Sequence, residues 1–220
     1  MIQAAIFDLD GTVIETEDDW EEAFLQVARK HGIAQPKLLQ ANSWWHEPGL
    51  GLSANWRRII ADRARAEELA RETSTIYQKS KTGDFDLKLR PGTAELIDKM
   101  RARGWKLALS TGSNWNVVEA ELLKLNLYAA FDVTTTGEEV LVLKPDPEIY
   151  LLTAQKLEVE AEQCLVIEDA VAGVRAAKEA GMLAVALVSD YAPAKMSSAA
   201  GADFVVADFS IILGLIDKIE

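Results

Sequence analysis

The chain holds one cysteine in 220 residues, Cys164, so no intrachain disulfide is possible. Cys164 lies in an apolar run, where a small buried hydrophobe is expected rather than a reactive thiol. Positive charge is also scarce, with 23 Lys and Arg against 35 Asp and Glu and a formal net charge of −12. Such a field repels polyanions and speaks against nucleic-acid binding, so any anionic small ligand needs its own local cation. No apolar run approaches the ~18 residues that a membrane-spanning helix needs. The N-terminus shows no basic segment followed by a long apolar stretch. Internal repeats and low-complexity tracts are lacking as well. A cytoplasmic, monomeric chain without a membrane partner is therefore expected.

What is present is an ordinary globular balance, 49% hydrophobic and 26% charged, in a length that allows one large core or a core with a small inserted unit. Residues 2–7 are almost wholly apolar, broken only by Gln3, which suits a strand buried on both faces of a parallel sheet. The run ends in Asp8, Leu9, Asp10, Gly11 and Thr12. Residues two apart share a face, so Asp8 and Asp10 are expected to converge just beyond the strand, in the crevice where open α/β sheets bind ligands. Gly11 permits a sharp exit. Read alone, two acids and a glycine also suit a plain strand–turn junction.

From about residue 15 to 88 the spacing is helical and no convincing strand occurs. Helix is expected over 14–30, with Trp20, Ala23, Phe24, Val27 and Ala28 on one face and His31 at its end. A helix fragment and loop follow over 35–51, carrying Trp44, Trp45 and His46. Ser53 offers a cap to a helix through Trp56, Ile59, Ile60 and Ala64, with Arg57 and Arg58 off the apolar stripe. A charged, Ala-rich helix continues over 63–77, and 81–88 reads as a linker. Beyond Arg90 strand and helix alternate: helix 93–103, strand 105–109, helix 116–125, a short run 131–134, helix 147–157, strand 164–167, helix 171–180, and strands 183–188 and 204–206. That alternation predicts a doubly wound, parallel, Rossmann-like α/β core from residues 1–14 and 89–220. Residues 15–88 form an inserted all-helical cap that sits over the end of the first strand.

Three of the predicted strands end in polar residues: Asp8 and Asp10; Ser110, Thr111, Gly112, Ser113 and Asn114; Glu168 and Asp169. Lys144 follows in a fourth segment, with Pro145 and Pro147 after it. In a parallel sheet these ends share one edge. Two carboxylates about 4 Å apart repel by roughly 4 kcal/mol at an effective dielectric of about 20. Four acids around one spot with a single lysine therefore call for a cation or for raised pKa values. Oxygen ligands without nearby His or Cys favour Mg²⁺ over Zn²⁺. The Thr111 and Ser113 hydroxyls, with backbone N–H groups at the turn before a helix, suit an anion. Together these point to phosphoryl transfer.

These four segments, in order, resemble the haloacid dehalogenase superfamily, in its phosphatase and phosphomutase branch with a helical cap after the first strand. The resemblance implies that Asp8 is the nucleophile that forms an aspartyl-phosphate and also binds Mg²⁺. Asp10 is implied as general acid/base, with its carbonyl on the metal. Thr111, with Gly112, Ser113 and Asn114, would hold the phosphoryl group, and Lys144 would neutralise nucleophile and phosphate oxygens. Asp169 is implied as a metal ligand and Glu168 as one acting through water. Asp10 separates the chain from the dehalogenases proper, which lack the second aspartate. Compared with β-phosphoglucomutases, this chain has Ala54 for a cap arginine, Asn114 for a lysine and Trp20 for a histidine.

The expected partner is thus a small phosphorylated metabolite, with phosphoglycolate, hexose or pentose phosphates and nucleotides all open, and the expected activity phosphatase. A sugar phosphomutase is the alternative, and a phospho-acceptor module a third reading that the helical insert disfavours. His46, Trp44, Trp45, Arg57 and Arg58 are the cap's candidate substrate contacts.

Overall fold

In the computed structural model, residues 1–34, 45–81, 85–189 and 193–219 are described, with 195 and 196 as backbone alone. Strand β1 (Ala4–Phe7) is buried along its whole length because it lies in the middle of a six-stranded sheet ordered β3-β2-β1-β4-β5-β6. Its neighbours are β2 (Lys106–Ser110) and β4 (Cys164–Glu168), in parallel registers that set Phe7 beside Leu109 and Ile167. β3 (Val133–Thr135) flanks β2, while β5 (Leu183–Leu187) and β6 (Phe204–Val206) extend the other side, all in parallel.

Alternation along the strands feeds two separate cores. Ala5, Phe7, Leu107, Leu109, Leu165 and Ile167 face one layer, which α4 (Thr93–Ala102), α5 (Trp115–Lys124) and α9 (Phe209–Leu215) cover through Leu96, Met100, Val118, Leu122, Phe209 and Ile212. Ala4, Ile6, Ala108, Val166, Ala184 and Ala186 face the other layer, closed by α6 (Glu148–Leu157) and α7 (Val171–Glu179) through Ile149, Tyr150, Ala154, Val174 and Ala177. The alanine-rich sheet face and Ala176 and Ala177 leave room for that layer to approach closely. The doubly wound reading of the sequence therefore holds.

Between β1 and β2 the chain inserts α1 (Glu17–Lys30), α2 (Leu52–Arg57) and α3 (Arg63–Ser80). They pack on one another through Phe24, Val27, Trp45, Trp56, Ala66 and Leu69, and no strand occurs in this stretch among the described residues. The chain leaves and re-enters the sheet at adjacent points. Ile14 bridges Leu89 in antiparallel fashion, Glu15 N–H donates to Lys88 O at 2.9 Å, and Arg90 N–H donates to Val13 O at 2.9 Å.

The sequence and the structure differ in places where hydrogen bonds override periodicity. α1 begins at Glu17, because Ile14 is committed to its bridges. Ser53 lies inside α2 instead of capping it; Gly51 holds the cap position. The helix expected to run on from Trp56 stops at Arg57, and Asp62 starts α3 by accepting from Arg65 N–H at 2.7 Å. An Asp side chain offers the backbone a cap that competes with helix continuation. α9 and α8 (Ala194–Ala199) were not read from the sequence; both are short, and Asp208 caps α9 by accepting from Ser210 and Ile211 N–H. Most of the segment expected as helix fragment and loop over 35–51, Trp44 included, and part of the 81–88 linker lie outside the described residues.

Candidate active site

The carboxyl ends of β1, β2 and β4 and the segment before α6 bring the polar residues to one place. Lys144 Nζ, almost fully buried, donates to Asp8 Oδ1 at 2.6 Å, to Glu168 Oε1 at 2.6 Å and to the Ser110 carbonyl at 3.2 Å. Burial by itself would lower the Lys144 pKa. The carboxylates of Asp8 and Glu168 on either side overcome that and raise it well above its ordinary value, so the ammonium stays charged. It also lies 4.9 Å from the centroid of the Tyr150 ring, whose hydroxyl donates to Glu168 Oε1 at 2.7 Å. Glu168 Oε2 accepts from Ala170 N–H at 3.0 Å. A Cβ on Gly173 would come within 1.7 Å of Glu168 Oε1, so the glycine makes room for this carboxylate at the start of α7.

Asp8, Glu168 and Asp169 each offer a carboxylate oxygen within 4.8 Å of the others, all three buried. Asp169 Oδ1 accepts from Thr12 Oγ1 at 3.1 Å, while Oδ2 is buried without a hydrogen-bond partner. Burial, then repulsion by Glu168, holds Asp8 well above the usual carboxylate range, with Lys144 pulling the other way. Burial and the charges of Glu17, Glu168 and Asp8 raise Asp169, which Arg90 only partly offsets. Unpartnered oxygen, hard donors and mutual repulsion are what a divalent cation relieves, so the residues fit such an ion. Glu168 is the poorest direct donor of the three, since both its oxygens are already engaged.

Asp10 lies apart from that cluster and is ringed by donors. Its Oδ1 accepts from Thr16 Oγ1 at 2.7 Å and Trp20 Nε1 at 3.1 Å, with Tyr77 Oη at 3.5 Å. Its Oδ2 accepts from Ser113 Oγ at 2.7 Å and Thr111 Oγ1 at 3.4 Å. Thr111 Oγ1 in turn accepts from Ser113 N–H at 3.1 Å, which fixes the loop between β2 and α5. Arg90 ties the turn after β1 by donating to the Gly11 and Thr12 carbonyls. A Cβ on Gly11, at φ +78°, would reach 2.2 Å from Asp169 Oδ2, so only glycine fits both the turn and the carboxylate beside it.

Asp8, Asp10, Thr111, Gly112, Ser113, Asn114 and Lys144 all line one cavity of about 790 Å³, whose opposite wall is the helical insert. From the insert come Trp20, His46, Arg57 and Arg71, with Ala54 and Asn55 beside them. Arg57 and Arg71 are exposed and have no ion-pair partner among the described residues. Arg58 instead bonds Asn55 Oδ1 at 3.0 Å, and Trp45 belongs to the insert's own core. His31 sits at the end of α1 against Glu72 at 2.8 Å. His46 is buried between Glu17 at 2.7 Å and Glu21 at 3.0 Å. Burial alone would lower its pKa, yet the hydrogen bonds and charges of the two glutamates raise it to about 9.

Sequence reasoning missed Arg71, Tyr150, Glu121 and the pairing of Glu17 with His46. Single polar residues inside helices give no periodic signal; only their neighbours in space distinguish them.

A six-stranded parallel sheet with a helical insert after its first strand, and acids gathered at the strand ends, defines a doubly wound α/β protein with a capped ligand crevice. The haloacid dehalogenase-like hydrolase family profile matches residues 2–181. The chain is 32% identical over 183 residues to the phosphorylated carbohydrates phosphatase of Thermotoga maritima, covering 82% of each. It is 31% identical over 182 residues to hexitol phosphatase A of Escherichia coli, covering 83% of this chain and 81% of that one. The crystal structure of a CbbY variant from Rhodobacter sphaeroides in complex with xylulose-1,5-bisphosphate superposes with a TM-score of 0.78 at 27% identity, over 96% of each chain. The chain belongs to the haloacid dehalogenase-like hydrolases, in the capped branch that holds phosphatases and β-phosphoglucomutases.

Proposed function

We propose that this phosphomonoester hydrolase acts on a small phosphorylated sugar or sugar-like alcohol through an aspartyl-phosphate on Asp8, with Asp10 as acid and base. The observation that carries the reading is Lys144 bracketed at 2.6 Å by Asp8 and Glu168, beside a donor-ringed Asp10, at the floor of a cavity large enough for a sugar phosphate. An Asp8 oxygen attacks phosphorus and the bond to the substrate's alkoxy oxygen breaks, while Asp10 gives that oxygen its proton. Asp10, now a carboxylate, then takes a proton from the water that attacks the phosphoenzyme, and inorganic phosphate leaves with Asp8 freed. Thr111, Ser113 and the N–H groups at Gly112 and Asn114 receive the phosphoryl oxygens, with Lys144 balancing their charge.

Asp8, Asp169 and the Asp10 carbonyl would hold Mg²⁺, with Glu168 acting through water. That ion, when bound, supplies charge neutralisation at the transferring phosphoryl group. Residues 15–88 act as a cap that shields this chemistry from bulk water, turning about the two bridged crossing points near Glu15 and Leu89. The neutral Ala54 and Asn114 favour hydrolysis over mutase chemistry, which needs a second anion site. Arg57 and Arg71, exposed on the cavity wall without an ion-pair partner among the described residues, are the observation that supports a phosphomutase as second reading. Supplying β-glucose 1-phosphate with a trace of its 1,6-bisphosphate separates them: net phosphate release is expected, and fast isomerisation with negligible release would overturn the choice. A phosphate-release panel of sugar phosphates, hexitol phosphates, phosphoglycolate and a phosphopeptide with Mg²⁺ tests the substrate class. Comparable rates on the phosphopeptide would refute a closed small-substrate site.

A further inference from the structure

The cavity changes character between its floor and its mouth. Asp8, Thr111, Ser113 and Lys144 make the floor polar, while at the rim the sheet layer contributes Leu141, Val142 and Leu143, and the insert contributes Leu50 and Leu52. Leu141 is 95% exposed and Val142 51%. Among the described residues, no other exposed large apolar side chain lines the cavity.

The fold itself holds these two side chains in water. Glu148, the first residue of α6, accepts from Leu141 N–H at 3.1 Å and from Val142 N–H at 2.9 Å, which pins the backbone of both. Leu143 then fills the seam between insert and sheet layer. Its Cδ1 is 2.7 Å from where a Cβ on Gly51 would stand, and its Cδ2 is 3.0 Å from the same point on Gly137. Lys144 follows, fixed between Asp8 and Glu168. A loop anchored at successive residues leaves Leu141 and Val142 at the rim, although burying either would be favourable. Exposed apolar surface continuous with a ligand cavity marks a binding contact.

We propose that Leu141 and Val142, with Leu50 and Leu52 across the seam, form an apolar collar that selects phosphomonoesters whose alcohol carries an apolar group at the end remote from phosphorus. The inference rests on the reading of Asp8 and Lys144 as the phosphate end of the cavity. It makes the ligand amphipathic, with its anion on the floor, its hydroxyl groups along the cavity and its apolar end at the mouth. Three residues of chain separate Leu141 from Lys144, a reach of at most about 11 Å, so tails of six to eight carbons suit the distance from floor to rim. The formal net charge of −12 disfavours an anionic lipid surface as the source, so the ligand is a free, soluble ester.

The experiment titrates n-alkylphosphonates, from ethyl to octyl, into the full-length, Mg²⁺-loaded protein by calorimetry, which needs no turnover. Kd should fall about fourfold for each methylene that enters the collar, and at least about tenfold from ethyl to octyl. Inorganic phosphate should displace every member. In Leu141→Ser with Val142→Ser the dependence on tail length should flatten, while ethylphosphonate, too short for the collar, binds within about twofold of wild type. Should that variant fail to fold, Leu141→Ser alone decides, since its side chain is almost wholly exposed. A Kd independent of tail length, no binding at any length, or an undiminished dependence in the variant would overturn the proposal. So would a wild-type dimer that the variant loses, which would give the strip to a second copy, or binding to phosphatidylcholine vesicles that carry phosphatidic acid. Phosphate release from sugar phosphates is measured beside it. Its absence in wild type, or its persistence in Asp8→Asn, refutes the hydrolytic reading, whereas normal release with a flat phosphonate series refutes the collar alone.

Discussion

His46 can be replaced to test how the insert is held together beside the site. The imidazole is buried, with Glu17 at 2.7 Å on one nitrogen and Glu21 at 3.0 Å on the other. Raising it from 6.5 to about 9 corresponds to about 3 kcal/mol of preference for the charged ring. Glu17 moves the other way for stability: burial, the largest cause, pushes its carboxyl up despite the bond to His46. The net contribution of the trio is therefore smaller than the share of the imidazole alone. A group whose pKa is raised on folding stabilises fully below its unfolded value and loses that contribution as pH climbs through the folded one. Wild type should thus lose up to about 3 kcal/mol between roughly pH 6.5 and pH 10, and Glu17, whose carboxyl is also raised on folding, returns none of it as pH rises. His46→Leu leaves the buried Glu21 and the half-buried Glu17 without their partner, so a cost of about 3–5 kcal/mol at pH 7 is expected. The variant should also lack the alkaline slope. Urea unfolding from pH 6 to 10, followed by the fluorescence of the buried Trp45 and Trp56, reads both. A slope in His46→Leu equal to that of wild type would refute the argument, as would a cost under about 1 kcal/mol at pH 7.

Asp8→Asn should abolish phosphate release while leaving the unfolding midpoint within a few degrees, because an amide is neither an anionic nucleophile nor a comparable metal ligand. EDTA should remove activity and Mg²⁺ restore it, and in Asp169→Asn far more Mg²⁺ should be needed for half-maximal rate; a metal-independent rate would count against the acidic cluster as a cation site. Gly173→Ala would drive a methyl group into Glu168 and so displace its bond to Lys144; a stability loss of about 1–3 kcal/mol with a fall in kcat is expected from thermal melts and initial rates. Arg57→Ala and Arg71→Ala should each raise KM for the best sugar phosphate about tenfold with kcat nearly unchanged, as expected for loss of a charge-assisted contact to bound substrate. Unaltered KM in the double variant would remove the insert wall from recognition.

The sequence by itself determined the parallel sheet, the place of the helical insert and the residues proposed to carry the chemistry. Runs such as 2–7 and 164–167 are apolar throughout because central strands are buried on both faces, and that leaves a mark in composition. Asp8, Asp10, Thr111, Lys144, Glu168 and Asp169 could be located because each stands at a fixed offset from such a run. Element ends were less legible: α2 stops at Arg57 because Asp62 caps a new helix, a competition between a side chain and a periodic pattern that favours continuation. Only the tertiary structure decided what surrounds these candidate catalytic groups. Tyr150 beneath Lys144, His46 between Glu17 and Glu21, and Glu121 behind Tyr77 are contacts between segments that local spacing does not set against one another. The face of a helix follows from 3.6 residues per turn; the neighbour it meets follows from how whole layers pack, and no local spacing encodes that.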